Sequence, residues 1–209
     1  MSKRVLEVQV LQTLTSTTSS SVVDLGCSNY GTTTNAYPAD TASIENVIDV
    51  NTPGAKSWAA ADVNTTDDTI TITTHGFATG LKGQVTTAGT LPAPLAVLTD
   101  YFVIVVDVNT IKLATSLNNA LAGTAINLTT QGVGNSTFSP TALAGGSIKY
   151  EISNDNVNYS DYAAATAITV DTTSWFLLTL PSMRYVKWTV ALTAGQIGVT
   201  TNILINGEG

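Results

Sequence analysis

The stretch Tyr101-Phe-Val-Ile-Val-Val-Asp-Val-Asn-Thr-Ile-Lys-Leu-Ala114 decides the fold class. Two runs, Tyr101 to Val106 and Thr110 to Ala114, are dense in β-branched and aromatic residues, which suit a pleated, half-buried surface. Between them Asp107-Val108-Asn109 reads as a tight hairpin turn, because Asp and Asn tolerate the backbone angles such turns need. Each run is too short for an amphipathic helix of ordinary length, so the pair predicts an antiparallel hairpin.

The same grammar continues in both directions. Period-2 runs bounded by Gly, Asn, Asp and Pro fall at Thr69 to Thr74, Gln84 to Thr87, Ser147 to Ser153, Ala167 to Val170, Trp175 to Leu180, Tyr185 to Leu192 and Thr201 to Ile205. Upstream, Val5 to Leu14, Ser21 to Leu25, Ser43 to Val50 and Ser57 to Asp62 are further candidates. One helical turn is predicted, at Leu117 to Leu121. The expected class is all-β, an antiparallel β-sandwich with a small inserted β-domain.

Composition supports this class and excludes others. Of 209 residues, 36 are threonine and only 11% are charged, so the surface is wetted by hydroxyls and amides rather than by ions. The hydrophobic share of 44% is enough for a buried core. A net charge of -7 with eight scattered Lys and Arg leaves no basic stripe for phosphates, so nucleic acid is not an expected partner. The apolar run after Met-Ser-Lys-Arg is broken by Glu7, Gln9 and Gln12, unlike a signal peptide. Nothing reaches the ~20 apolar residues of a membrane-spanning helix, and a soluble protein is expected. A single cysteine, Cys27, precludes an internal disulfide.

Two turn-rich stretches, Asn64 to Asp68 and Thr141 to Gly146, suggest boundaries. The economical reading is one sandwich built from residues 1–63 and 146–209, with 64–145 inserted at a hairpin loop, where insertion leaves the host ladder intact. Ser57 to Asp62 would then enter the insert and Ser147 to Ser153 leave it, as antiparallel neighbours. Two consecutive domains or one long β-fold are the alternatives.

Candidate chemistry is sparse. His75 is the only histidine, so no triad or zinc site can form around a second one; its expected role is to end a strand beside Gly76 and Phe77. Asp67, Asp68 and Asp107, or Asp155 and Asp161, could pair for glycoside hydrolysis, but nothing sets their separation and each lies in or near a turn. Asn154, Asp155, Asn156 and Asn158 resemble alternating calcium ligands, yet the loop lacks the glycine and the acidic residue at its sixth and twelfth positions. Cys27 has no basic neighbour to activate it. Trp188 should be core, since Tyr185, Lys187 and Thr189 share the opposite face; Trp58 and Trp175 stay open between core and a sugar platform. Asn64, Asn127, Asn135 and Asn158 fit the glycosylation pattern through Thr and Ser abundance. No catalytic, metal or cofactor residue is therefore assigned.

Two motif series carry a resemblance. Asp68-Thr-Ile-Thr-Ile-Thr-Thr-His-Gly-Phe-Ala-Thr-Gly, then Gly83-Gln-Val, Leu91-Pro, Tyr101-Phe-Val-Ile and Asn109-Thr-Ile-Lys-Leu-Ala-Thr-Ser, resemble a small β-module recurring in tailed-bacteriophage structural proteins. Ser147-Ile-Lys-Tyr-Glu-Ile-Ser-Asn-Asp-Asn-Val-Asn-Tyr-Ser, Arg184-Tyr-Val-Lys-Trp-Thr-Val and Ala194-Gly-Gln are similar to phage β-sandwich domains with Ser-Asn-Asp-Gly-x-x-Trp in a hairpin. Here Asn156 and Tyr159 replace the commoner Gly and Trp. The resemblance implies a virion structural protein made in the bacterial cytoplasm: a capsid decoration, neck or tail subunit. Its implied partners are other virion proteins. Closed homo-oligomers are the usual way to use such a domain, so self-association as a homotrimer is also expected, with Met-Ser-Lys-Arg as an arm that orders on a partner. The alternative is a module of a tail fibre binding carbohydrate or receptor, which would need exposed aromatics near Asn and Asp on the insert. A depolymerase is disfavoured for want of a repeat and an acid pair.

Overall fold

A computed structural model describes residues 10–16, 18–19, 23–24, 41–162, 164–168, 172–179 and 185–206. The chain is all-β. Its strands are β1 (Val10–Leu14), β2 (Thr18–Ser19), β3 (Val23–Asp24), β4 (Thr41–Asp49), β5 (Lys56–Ala59) and β6 (Val63–Asn64). They continue as β7 (Thr69–Thr71), β8 (Lys82–Thr87), β9 (Asp100–Asp107), β10 (Thr110–Ala114), β11 (Asn135–Pro140) and β12 (Gly146–Ser153). The last are β13 (Ser160–Asp161), β14 (Thr166–Ile168), β15 (Thr172–Thr179), β16 (Tyr185–Leu192) and β17 (Ile197–Asn206). One helical turn, α1 (Leu117–Leu121), stands where the sequence predicts it, with the Ser116 hydroxyl accepting from the Asn119 N–H.

The residues divide into two compact units. Unit 1 draws its described residues from Met1–Val50, Gly145–Leu192 and Gly198–Gly209, and unit 2 from Asn51–Ala144 and Thr193–Ile197.

Unit 1 is sandwich-like, with a sheet ordered β1-β17-β4-β15 and another ordered β13-β12-β16-β2, to which β14 and β3 add. Strands from both ends of the sequence share sheets: β17 pairs antiparallel with β4 from Gly198↔Asp49 to Asn206↔Thr41. Pairing of β12 with β16 shows how alternation sorts side chains. Ile148↔Val190, Tyr150↔Trp188 and Ile152↔Val186 are cross-strand pairs, and all six residues are buried. Their neighbours Lys149↔Thr189 and Glu151↔Lys187 fall on the other face.

Unit 2 is one seven-stranded sheet, β5-β11-β8-β9-β10-β7-β6. Its two terminal strands, β5 and β6, are joined by a 3-10 turn at Ala60–Asp62, so the ribbon returns on itself like a barrel. Every strand sends a side chain into one core: Trp58, Val63, Ile70, Val85, Val103, Ile111 and Phe138. Gly83 on β8 makes room for this core, because a Cβ there would lie 2.5 Å from the Phe138 ring. Against the sheet's other face, Ala120 of α1 packs with Ile104 and Ala114.

Three expectations are corrected here. Ser57 to Asp62 does not neighbour Ser147 to Ser153: β5 pairs with β11, at Trp58↔Ser136 and Lys56↔Phe138, while β12 pairs with β16. Unit 2 accordingly begins at Asn51 rather than Asn64, ends this segment at Ala144, and takes in Thr193–Ile197 as well. The cause is the burial of Trp58 and Val63 in its core. The strand expected over Thr69 to Thr74 stops at Thr71, because Thr74 turns to φ 48° and gives its N–H to Asn109 Oδ1.

Candidate functional site

His75 is 2% exposed, and both ring nitrogens are occupied. Nδ1 accepts from the Phe77 N–H at 2.9 Å, so the ring hydrogen is on Nε2, which donates to the Asp107 carbonyl at 2.8 Å. The ring stacks on Phe77 with centroids 5.3 Å apart. A ring so engaged holds a turn closed and has no free nitrogen for proton transfer. Around it, Thr74, Gly76 and Gly80 all have left-handed backbone angles. The turn is fastened further by Gln196, whose Oε1 accepts from the Ala78 N–H at 2.8 Å and whose Nε2 donates to the Gly76 carbonyl at 3.2 Å. Gln196 stands in the Ala194-Gly-Gln motif, but nothing local in the sequence marks a contact made across 118 residues.

The acidic residues do not converge; each is consumed by its own neighbourhood. Asp67 Oδ2 accepts from Asn64 Nδ2, and Asp68, at φ 58°, accepts from the Leu128 N–H. Asp107 accepts from the Asn109 N–H and so fixes the β9–β10 turn. Asp155 holds the β12–β13 connection: its carboxylate accepts from the Asn158 and Val157 N–H groups, the Asn158 side chain and the Ser153 hydroxyl. These bonds, the Asn158 backbone N–H foremost, hold its carboxyl well below the usual range. Asn156 occupies a left-handed position at φ 61°, a backbone that Asn tolerates better than most residues, and its Oδ1 accepts from the Tyr159 hydroxyl. These oxygens hold the hairpin together. Among the described residues no group of three His, Cys, Asp or Glu could hold a metal ion.

On the outer face of β12 and β16, Lys149 bridges Asp161 at 2.9 Å and Glu151 at 3.6 Å. The Asp161 hydrogen bond, acting first, raises the Lys149 pKa. Lys187 lies 4.0 Å above the Tyr159 ring and 3.9 Å from Glu151, and Thr189 donates to Glu151. Burial, followed by the nearby Tyr185, raises the Tyr159 pKa. This face is therefore an internally paired network. In unit 2, Lys82 meets Asp100 at 2.7 Å and, with Gln84, lowers the Asp100 pKa.

Trp58 and Trp188 are both core residues, and Trp58 Nε1 is buried without a hydrogen-bond partner. The other described aromatic side chains of unit 2, Phe77, Tyr101, Phe102 and Phe138, are buried or half-buried. Cys27, Met1 to Arg4 and Arg184 lie outside the described residues, as does the side chain of Trp175.

What unit 2 does expose is aliphatic. The chain enters and leaves this barrel at the end holding 51–55, 141–144 and 193–197, where Val106 and Val108 are exposed beside the β9–β10 turn. At the opposite strand ends, the loops before β9 and β11 expose Val97, Leu98 and Val133. Those loops are tied together by Thr90 and Val133, which exchange backbone hydrogen bonds, and by the Thr129 N–H, which donates to the Ala93 carbonyl. Leu98 is 83% exposed and has φ 60°, an unusual backbone for a leucine. No helix among the described residues is long and apolar enough to cross a membrane. No protein-family model matches the chain, and no curated protein matches it.

Proposed function

We propose that this chain is a non-enzymatic structural subunit of a tailed-phage virion, a capsid decoration or another head, neck or tail surface protein, acting by docking on neighbouring subunits. The observation that carries the reading is the strand-end surface of unit 2. Leu98 combines high exposure with a left-handed backbone, two features that each cost free energy in the isolated chain. An apolar socket on a neighbouring virion protein removes the first cost and gives the second a purpose. Three exposed aliphatic side chains, Val97, Leu98 and Val133, are far fewer than the ~800 Å² per partner of a stable interface requires. A contact of that size holds when many copies engage one particle.

The remaining chemistry fits the same reading. His75 and the turn carboxylates act locally, and few ion pairs contribute to cohesion, so association should tolerate salt. Self-association into a closed, symmetric homo-oligomer, taken as a trimer, is part of the same proposal. A tail-fibre module for carbohydrate would draw on exposed aromatics of unit 2, and those described there face inward or are half-covered. Gold-labelling the chain on phage particles and imaging by electron microscopy tests the proposal: label at regular positions on head, neck or tail supports it, and unlabelled particles reject it. Reproducible binding of the purified chain on an array of bacterial glycans would move the assignment to the fibre module.

A further inference from the structure

We infer that Thr193–Ile197 is a latch that completes unit 2, with Gln196 closing the His-Gly-Phe loop only after the chain beyond β16 has arrived. The barrel strands all lie within Lys56–Pro140, yet the loop from Thr74 to Gly80 is not self-sufficient. The β9–β10 hairpin holds its ends, the His75 N–H donating to the Val108 carbonyl and the Gly80 N–H to the Val103 carbonyl, but three left-handed residues keep its middle from continuing that ladder. Its Ala78 N–H and Gly76 carbonyl find their partner in the Gln196 amide, which accepts from one and donates to the other as a neighbouring strand would. Gln196 is 4% exposed, so these bonds form away from competing water.

The segment is itself fixed in the unit. The Gln196 N–H donates to Thr52 Oγ1 at 2.8 Å, and the Thr52 hydroxyl donates back to the Gln196 carbonyl at 3.2 Å. Gly195, at φ 90°, lets the backbone pass: a Cβ there would stand 2.7 Å from Leu143 Cα. Ala194 and Ile197 are buried on either side. A contiguous 51–144 cassette therefore lacks the latch. During synthesis it emerges first, with the loop's donor and acceptor waiting for a side chain more than fifty residues downstream.

The test is native-state amide exchange in the full chain, comparing the Ala78 amide with the Val103 amide, which donates to the Leu81 carbonyl within the barrel. Gln196→Ala should speed Ala78 exchange roughly tenfold, the equivalent of one lost buried hydrogen bond, and leave Val103 within about twofold. Unchanged Ala78 exchange, or an equal rise at both amides, overturns the inference. If Gln196→Ala fails to fold, Thr52→Val decides the matter. It leaves the Gln196 side chain in place, and a rise confined to Ala78 upholds the latch, whereas no rise or an equal rise at Val103 overturns it.

Discussion

Replacing His75 by alanine isolates the claim that this histidine is a structural pin. The substitution removes a ring from a site 2% exposed and deletes two hydrogen bonds. The Phe77 N–H is left buried and unpaired, which costs about 1–3 kcal/mol. Lost stacking on Phe77 adds about 0.5–1.5 kcal/mol, and the cavity adds a further amount. These terms overlap, so a total of about 3–5 kcal/mol is expected. Asparagine offers an internal control, because its Oδ1 can stand where Nδ1 stands and accept from the Phe77 N–H. His75→Asn should therefore recover about 1–2 kcal/mol of the loss. Urea titration followed by residue-resolved amide exchange reads the two units separately. A loss below about 1 kcal/mol for His75→Ala, or no advantage of Asn over Ala, would refute the reasoning.

Other outcomes follow from the same geometry. Trp58→Phe removes an orphan N–H while keeping most of the ring, so unfolding free energy should change by less than about 1.5 kcal/mol, against a loss of about 3–5 kcal/mol for Trp58→Ala. Asp155 has a folded pKa below its unfolded one, so its contribution is present above the ordinary carboxyl pKa and is lost as pH falls through the folded value. Thermal midpoints of Asp155→Asn and the parent should differ at pH 7 and converge towards pH 2; a constant gap would contradict this. Leu98→Gly relieves a left-handed leucine and should leave thermal stability equal or raise it by up to ~1 kcal/mol, whereas a clear loss would show that the leucine packs within the unit.

Sequence alternation was enough for the class, for the β9–β10 hairpin and for the inward face of β16. Asp107-Val108-Asn109 is a hairpin because the Asp107 carboxylate accepts from the Asn109 N–H, a strictly local bond. Trp188 is core because side chains alternate along β16. Asn156 takes the left-handed position that its residue type favours. What escaped sequence reasoning was set at long range. The sequence reading puts Trp58 in the 1–63 flank of the sandwich, and burial with Phe138 and Val63 places it in unit 2 instead. β11 was passed over because Asn-Ser-Thr-Phe-Ser-Pro has weak strand propensity, although Ser136 and Phe138 do alternate inward. Gln196 and Gly195 look like an ordinary turn between two strands; their role exists only beside Thr52, Gly76, Ala78 and Leu143.

The copy number of this chain in purified phage particles, measured for the parent and for a Leu98→Asp, Val133→Asp double variant, bears most directly on its assignment as a docking subunit. The parent should be present at a fixed stoichiometry, and the variant, folded normally in isolation, should fall to background because a carboxylate cannot enter an apolar socket. Equal incorporation of both, or absence of the parent from the particles, would contradict the account.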